Sequence, residues 1–239
     1  MPQFRLNLRR SPRKLLERDG HPGPGPGRLA LIMARAGIGK TAFLVDVGLD
    51  AMLAGQKVLH ISLGGTVDKI RTWYDDILVE LLRSQKQLEH RASVQEAIEP
   101  LRHIHTYDYP FNADRLRDGL RLLKNTLDFE PQVLLLDDVN AEKLDAAMAA
   151  SLKAVAAEAG FEMWMACQTH RKDPARPGHL PHPADQFEDQ IDLAFQLVAE
   201  DEKVRLHLLK DHDRILDEEL HILLDPETHL VTVGTLVGD

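Results

Sequence analysis

Hydrophobic and polar positions fall into two rhythms that alternate from residue 28 onward. "RLALIMA" (28–34) is a short apolar run of strand length, and Phe43, Leu44, Val47, Leu49 and Met52 then recur at helical spacing. "KVLHISL" (57–63) reads as a second strand. Thr66 is placed to cap a helix that carries Val67, Ile70, Tyr74, Ile77, Leu78, Leu81 and Leu82 in a three-and-four rhythm. "RHIHTYD" (102–108) alternates as a strand does, and "NADRLRDGLRLLKNTLDF" reads as a helix capped by Asn112. "QVLLLDD" (132–138) is an uninterrupted apolar run, which suits a strand covered on both faces. The Ala-rich segment 141–159 predicts a helix stopped by Gly160, and "FEMWMACQ" follows as a strand.

Residues 171–189 are rich in Pro, His and charge without periodicity, so a loop is expected. Three or four strands follow without helices between them: "IDLAFQLV", "KVRLHLLK", "ELHILLD" and "HLVTVG". Alternating strand and helix units predict an α/β fold with a parallel sheet and an antiparallel tail. Ahead of this lies a basic arm, residues 1–20, and the stretch "HPGPGPG" (21–27), which reads as a linker or extended lead-in. The expected organisation is therefore an arm and linker over 1–27 and one domain over 28–239.

Composition narrows the picture. A chain of 239 residues with 44% hydrophobic content can bury a continuous core, and no apolar run approaches a membrane span. No segment has the layout of an export signal, and a single cysteine, Cys167, fits a reducing compartment; cytoplasmic residence is the expectation. A net charge of −9 argues against a surface that embraces nucleic acid everywhere.

The chemistry concentrates in "ARAGIGKTAF" (34–43), which ends in Gly-Lys-Thr between a strand and a helix. In a phosphate-cradling loop, main-chain N–H groups over Ala36, Gly37, Ile38, Gly39, Lys40, Thr41 and Ala42 point at phosphate oxygens at the positive end of the helix. Lys40 reaches the β and γ phosphates, and the Thr41 hydroxyl is one ligand of Mg2+. Ala34 stands where the strict pattern has glycine, a position that needs only a small residue. The relaxed pattern arises by accident in roughly one chain in fifty of this size, and the strand-before, helix-after context makes chance rarer still. Asp137, at the end of the buried run 132–138, is the matching carboxylate on the metal side, and Asp138 follows it directly.

Taken in order, these segments resemble the RecA-like ATPases, in particular the branch of KaiC-like proteins and DnaB-like helicase cores. The similarity spans about 27 to 235. "GRLALIMARAGIGKTAF" is similar to that branch's P-loop, "QVLLLDD" to its Walker B strand, and "MACQTHR" to its strand ending in a polar glutamine. "LHLLKDHD" resembles its late strand bearing a lysine that reaches a neighbour's nucleotide. The resemblance implies a RecA-like P-loop fold with a mostly parallel central sheet flanked by helices and antiparallel C-terminal strands. It also implies ATP with Mg2+ as the ligand, a homo-oligomer, Gln168 as a sensor of the γ phosphate, and Lys210 acting in trans. The strand ending at Cys167 should lie between the P-loop strand and the Walker B strand. Loop 171–189, with Arg171, Lys172, Arg176, His179 and His182, would correspond to a segment that touches single-stranded nucleic acid in helicases. Asp173, Asp185, Glu188 and Asp189 nearby make nucleic acid the weaker expectation, and no membrane partner is expected.

Two departures bear on activity. Relatives carry a catalytic glutamate after the second strand, where this chain has "ISLGG" with Gly64. Three accounts stay open: Asp138 substitutes as the acid, Asp68 swings in, or ATP is held and turned over very slowly. Asp138 is the best placed. In the late strand, Lys210 is followed by Asp211 and His212 with Arg214 beyond, so the expected lysine–arginine pair two apart is missing. The expectation is a slow ATPase that couples nucleotide state to conformation or assembly. A non-hydrolysing nucleotide-binding scaffold and a DNA-dependent motor core stand as alternatives.

Other signals weigh less. His103 and His105 share a strand face, but no cysteine or carboxylate completes a metal set at ligand spacing. Cys167 reads as a small buried apolar residue. Trp73 and Tyr74 read as core or interface packing. The arm is either a solvated tail or a segment whose Leu6, Leu8, Leu15 and Leu16 pack on an adjacent protomer, with Arg9, Arg10, Arg13 and Lys14 facing an acidic partner surface.

Overall fold

The computed structural model describes residues 12–15, 23–108, 110–169, 178–200 and 203–233. Among them the strands are β1 (Leu29–Ala34), β2 (Val58–Ser62), β3 (Arg102–Thr106), β4 (Val133–Val139), β5 (Glu162–Gln168), β6 (Leu193–Glu200), β7 (Lys203–Asp211), β8 (Arg214–Leu224) and β9 (Val231–Val233). They form one sheet in the order β3-β2-β4-β5-β1-β6-β7-β8-β9. Neighbours are parallel from β3 through β6, and β6 to β9 are successively antiparallel. The protein is α/β, with a mostly parallel central sheet and antiparallel C-terminal strands.

Helices cover both faces because successive strand side chains point to opposite sides. Ile32 and Leu135 pack with Phe43, Val47, Ile70 and Ile77 of α2 (Lys40–Leu53) and α3 (Val67–Ser84). Their sequence neighbours Leu31, Met33, Leu134 and Leu136 pack with Leu116, Leu123, Leu152 and Val155 of α5 (Ala113–Leu127) and α6 (Ala146–Ala159). Each such side chain, fully buried, contributes about 1.5–3 kcal/mol. The caps are in place. Thr66 Oγ1 accepts from the Lys69 amide at 3.3 Å and Asn112 Oδ1 from the Arg115 amide at 2.9 Å.

The tail departs from expectation in one strand. β6 runs parallel to β1, not antiparallel, because residues 169–192 are long enough to carry the chain back to the start of β1. The loop expected over 171–189 is anchored where it is described: Leu180, Ala184, Phe187 and Ile191 are buried in the core of the α5–α6 face. The Ala-rich helix begins later than expected, at Ala146, because Asp145 Oδ1 accepts from the Met148 amide at 2.7 Å and so caps it there. Gly160 ends it with φ 73°. A short helix, α4 (Arg91–Ile98), had no counterpart in the hydrophobic pattern; it buries only Val94 and Ile98.

The Pro/Gly lead-in is built into the body. Gly23, Pro24 and Gly25 are buried, and the Gly27 amide donates to the Phe161 carbonyl at 2.9 Å. The short helix α1 (Pro12–Leu15) carries Arg13, whose Nε lies 2.9 Å from Glu162 Oε1, both side chains buried. Arg13 thus finds its acidic partner within its own chain. Leu6, Leu8, Arg9, Arg10 and Leu16 lie outside the described residues. Among the described residues no helix is long and apolar enough to cross a membrane.

Candidate functional site

A cleft of about 980 Å³ opens where β1, β4 and β5 end, lined by loop 36–39 and the start of α2. The carboxyl ends of parallel strands are where such sheets offer side chains and helix N-termini to a ligand. Gly37 and Gly39 hold φ of 77° and 111°, values that let the loop turn sharply into α2. Gly39 begins α2 with no side-chain acceptor, so the first helical N–H groups face the cleft. Any Cβ at Gly39 would fall 2.6 Å from Leu224 Cδ2. Ala34 ends β1 fully buried in the core, which accommodates its methyl group.

Lys40 bends back over this loop, its Nζ donating to the carbonyls of Ala34 at 3.3 Å and Arg35 at 3.1 Å. Burial pushes its pKa down, opposed by Asp137, Cys167 and Asp138. Thr41 Oγ1 donates to Asp137 Oδ2 at 2.7 Å, joining the helix start to the end of β4. Asp137 is 1% exposed, and burial raises its pKa against the Thr41 and Asp138 hydrogen bonds and the charges of Lys40 and Lys69.

Strict alternation would send Asp137 and Asp138 to opposite faces. The sheet avoids this with a bulge: Leu136 pairs with Met165 but Val139 with Cys167, three steps on β4 against two on β5. Asp138 takes φ 58°, its amide donates to Asp137 Oδ1 at 2.9 Å, and its carboxylate lines the cleft. Ser62 Oγ lies 3.4 Å from Asp138 Oδ2 and accepts from the Gly65 amide at 2.8 Å. Burial and the charge of Asp137 raise the Asp138 pKa. Asp68, in contrast, is solvent-exposed in the first turn of α3 and faces Arg71 at 3.8 Å.

β5 lies between β1 and β4, with Gln168 in register beside Ala34 and exposed to the cleft. Cys167 is fully buried, its thiol pushed up to about 12 by burial. Lys210 is not brought to this cleft. Its neighbour Ala194 sits at the start of β6, the edge opposite the glycine-rich loop, and its buried ammonium donates to the Glu188 carbonyl. Arg214 pairs with Asp211 at 2.8 Å. Of the loop histidines, His179 faces Glu188 at 2.6 Å and His182 faces Asp185 at 3.0 Å; Arg171, Lys172 and Arg176 lie outside the described residues. His103 stands edge-on to Phe129, centroids 4.3 Å apart.

Lys69, Lys203 and His229 line the cleft with no role assigned from the sequence, and Trp73 reads there only as packing. Trp73 packs on the core, as expected, but also lines the cleft and meets His229 at 4.9 Å between ring centroids. Lys69, one helical turn before it on α3, lines the cleft too. The spacing of four was visible in the sequence; what hid it was that His229 comes from the distant β8–β9 turn. Tyr74, in contrast, is a core residue, its hydroxyl 3.1 Å from His60 Nδ1.

The arrangement can hold an elongated anion, with helix amides and Lys40 at one end, carboxylates and a hydroxyl for a metal beside it, and an aromatic wall beyond. Searched against known families and curated proteins, the chain matches no family model and no curated protein.

Proposed function

We propose that this chain is a RecA-like P-loop protein that binds ATP with Mg2+ and hydrolyses it slowly, coupling nucleotide state to conformation or self-assembly. The observation that carries the reading is the 2.7 Å hydrogen bond from Thr41 to Asp137 beside an uncapped glycine-rich helix start. A hydroxyl and a carboxylate held together next to phosphate-facing amides fit Mg2+, whose oxygen ligands are of this kind. When bound, the metal would supply charge neutralisation to the phosphates. Lys40 is already arched over the loop and needs only to exchange two carbonyl partners for phosphate oxygens. Trp73 and His229 offer a face for the base.

Asp138 supports hydrolysis. Its carboxylate borders the cleft, with its pKa raised by burial and the charge of Asp137, and general-base help is worth about 10²–10⁴-fold. A non-hydrolysing reading draws on Gly64, which brings no carboxylate to the position after β2. Titration calorimetry with ATP, ADP and GTP in Mg2+, with mass measurement and phosphate release on the same samples, tests the proposal. Binding of ATP with measurable turnover supports it; binding without turnover supports the scaffold reading. No heat with any nucleotide sinks both.

A further inference from the structure

Besides Lys40, two lysines line the cleft, Lys69 on α3 and Lys203 at the start of β7. Lys69 lies in the first turn of α3, and α3 is fixed to the carboxylate side of the cleft through a short chain of contacts. Asp138 faces Ser62 at 3.4 Å, Ser62 accepts from the Gly65 amide at 2.8 Å, and Thr66 caps the helix at the Lys69 amide at 3.3 Å. Lys69 therefore shares the cleft with Lys40, Thr41 and Asp138. Its side chain is exposed, and among the described residues no carboxylate forms an ion pair with it. Its positive charge nonetheless acts on both Asp137 and Asp138, as that of Lys40 does.

A triphosphate laid along the loop adds about four negative charges beside Asp137 and Asp138, more than Lys40 and a divalent metal at Thr41 and Asp137 would together offset. Of the cleft lysines, Lys40 and Lys69 are those whose charge reaches Asp137 and Asp138, and Lys210 lies buried against the Glu188 carbonyl at the opposite end of the strands. We propose that Lys69 is a further phosphate-binding residue of this site, engaging the terminal phosphate from within the same chain. The inference rests on the nucleotide-binding reading above and adds to it a residue that distinguishes triphosphate from diphosphate.

Calorimetric titration of wild type, Lys69→Ala and Lys69→Arg with ADP and with a non-hydrolysable ATP analogue, both in Mg2+, tests it. One charge-assisted hydrogen bond predicts about tenfold weaker triphosphate binding for Lys69→Ala, with diphosphate affinity unchanged and Lys69→Arg restoring most of the loss. Equal losses for both ligands, or no loss for either, overturn the role of Lys69 while leaving nucleotide binding standing. No binding by wild type overturns both.

Discussion

The carboxylate of Asp138 occupies the space above Gly64. Any Cβ built at Gly64 would lie 3.3 Å from both Cβ and Oδ2 of Asp138. The two positions border one volume, so a side chain from the β2 end would crowd the acid from β4 and press it aside by a few tenths of an ångström. Asp138→Asn should reduce phosphate release by about 100-fold or more while nucleotide affinity is retained. Gly64→Glu combined with Asp138→Ala should recover part of the rate. Unchanged release in Asp138→Asn would remove this carboxylate from the reaction.

Thr41→Val leaves Asp137 buried without its hydroxyl donor, a hydrogen bond to a charged group worth about 1.5–3 kcal/mol. Urea unfolding without nucleotide should show that loss. The further stabilisation that ATP gives wild type should become insensitive to Mg2+ in the variant. A variant whose nucleotide stabilisation still tracks Mg2+ would show that Thr41 is no metal ligand.

Trp73 is partly exposed at the cleft whereas Trp164 is fully buried, so nucleotide should alter the emission of the first alone. Trp73→Ala should abolish the change and weaken binding by about 1–3 kcal/mol, the range for a base stacked on an aromatic ring. Persistence of the signal in Trp73→Phe would assign it to Trp164 and move the base elsewhere.

Much of the framework was legible because each segment carries one dominant rhythm. β4 reads as buried on both faces, and the caps at Thr66 and Asn112 are local chemistry, each side-chain oxygen accepting from the amide three residues on. What was not legible depends on distance. β6 runs parallel to β1 across a long connection whose described part, 178–192, packs on the α5–α6 face, and the partner of Arg13 lies on β5, far along the chain. The Gly-Lys-Thr motif marked one side of the cleft. Trp73 reads as packing because its cleft neighbour His229 lies in another element, and the bulge that turns Asp138 inward shows only as an aspartate pair.

His60 is fully buried, and burial together with the charge of Arg102 lowers its pKa to about 3 from 6.5. Between those values the unfolded chain takes up a proton that the folded chain refuses, so this contribution is complete above the unfolded value and is lost as pH falls. The stability of wild type relative to His60→Leu should therefore drop by about 1.4 kcal/mol per pH unit below about pH 6.5. Urea unfolding curves that stay parallel for the two proteins would refute it.

Arg13→Ala would strand Glu162 in a site where both side chains are nearly inaccessible. Removing one member of a buried pair costs about 3–5 kcal/mol, so the variant should melt well below wild type. Adding Glu162→Gln should recover part of that loss, since the amide has no charge to strand. Equal melting temperatures for wild type and Arg13→Ala would mean that the pair adds nothing.

The contact between Gly39 and Leu224 ties the floor of the cleft to β8, which is made some 180 residues after the loop it supports. A nascent chain that has emerged only as far as β5 already owns the glycine-rich turn, Thr41 and Asp137, yet lacks the wall against which that turn rests. Competence to hold a ligand would thus arrive late in synthesis, when the closing hairpin docks, and not when the motif itself leaves the ribosome.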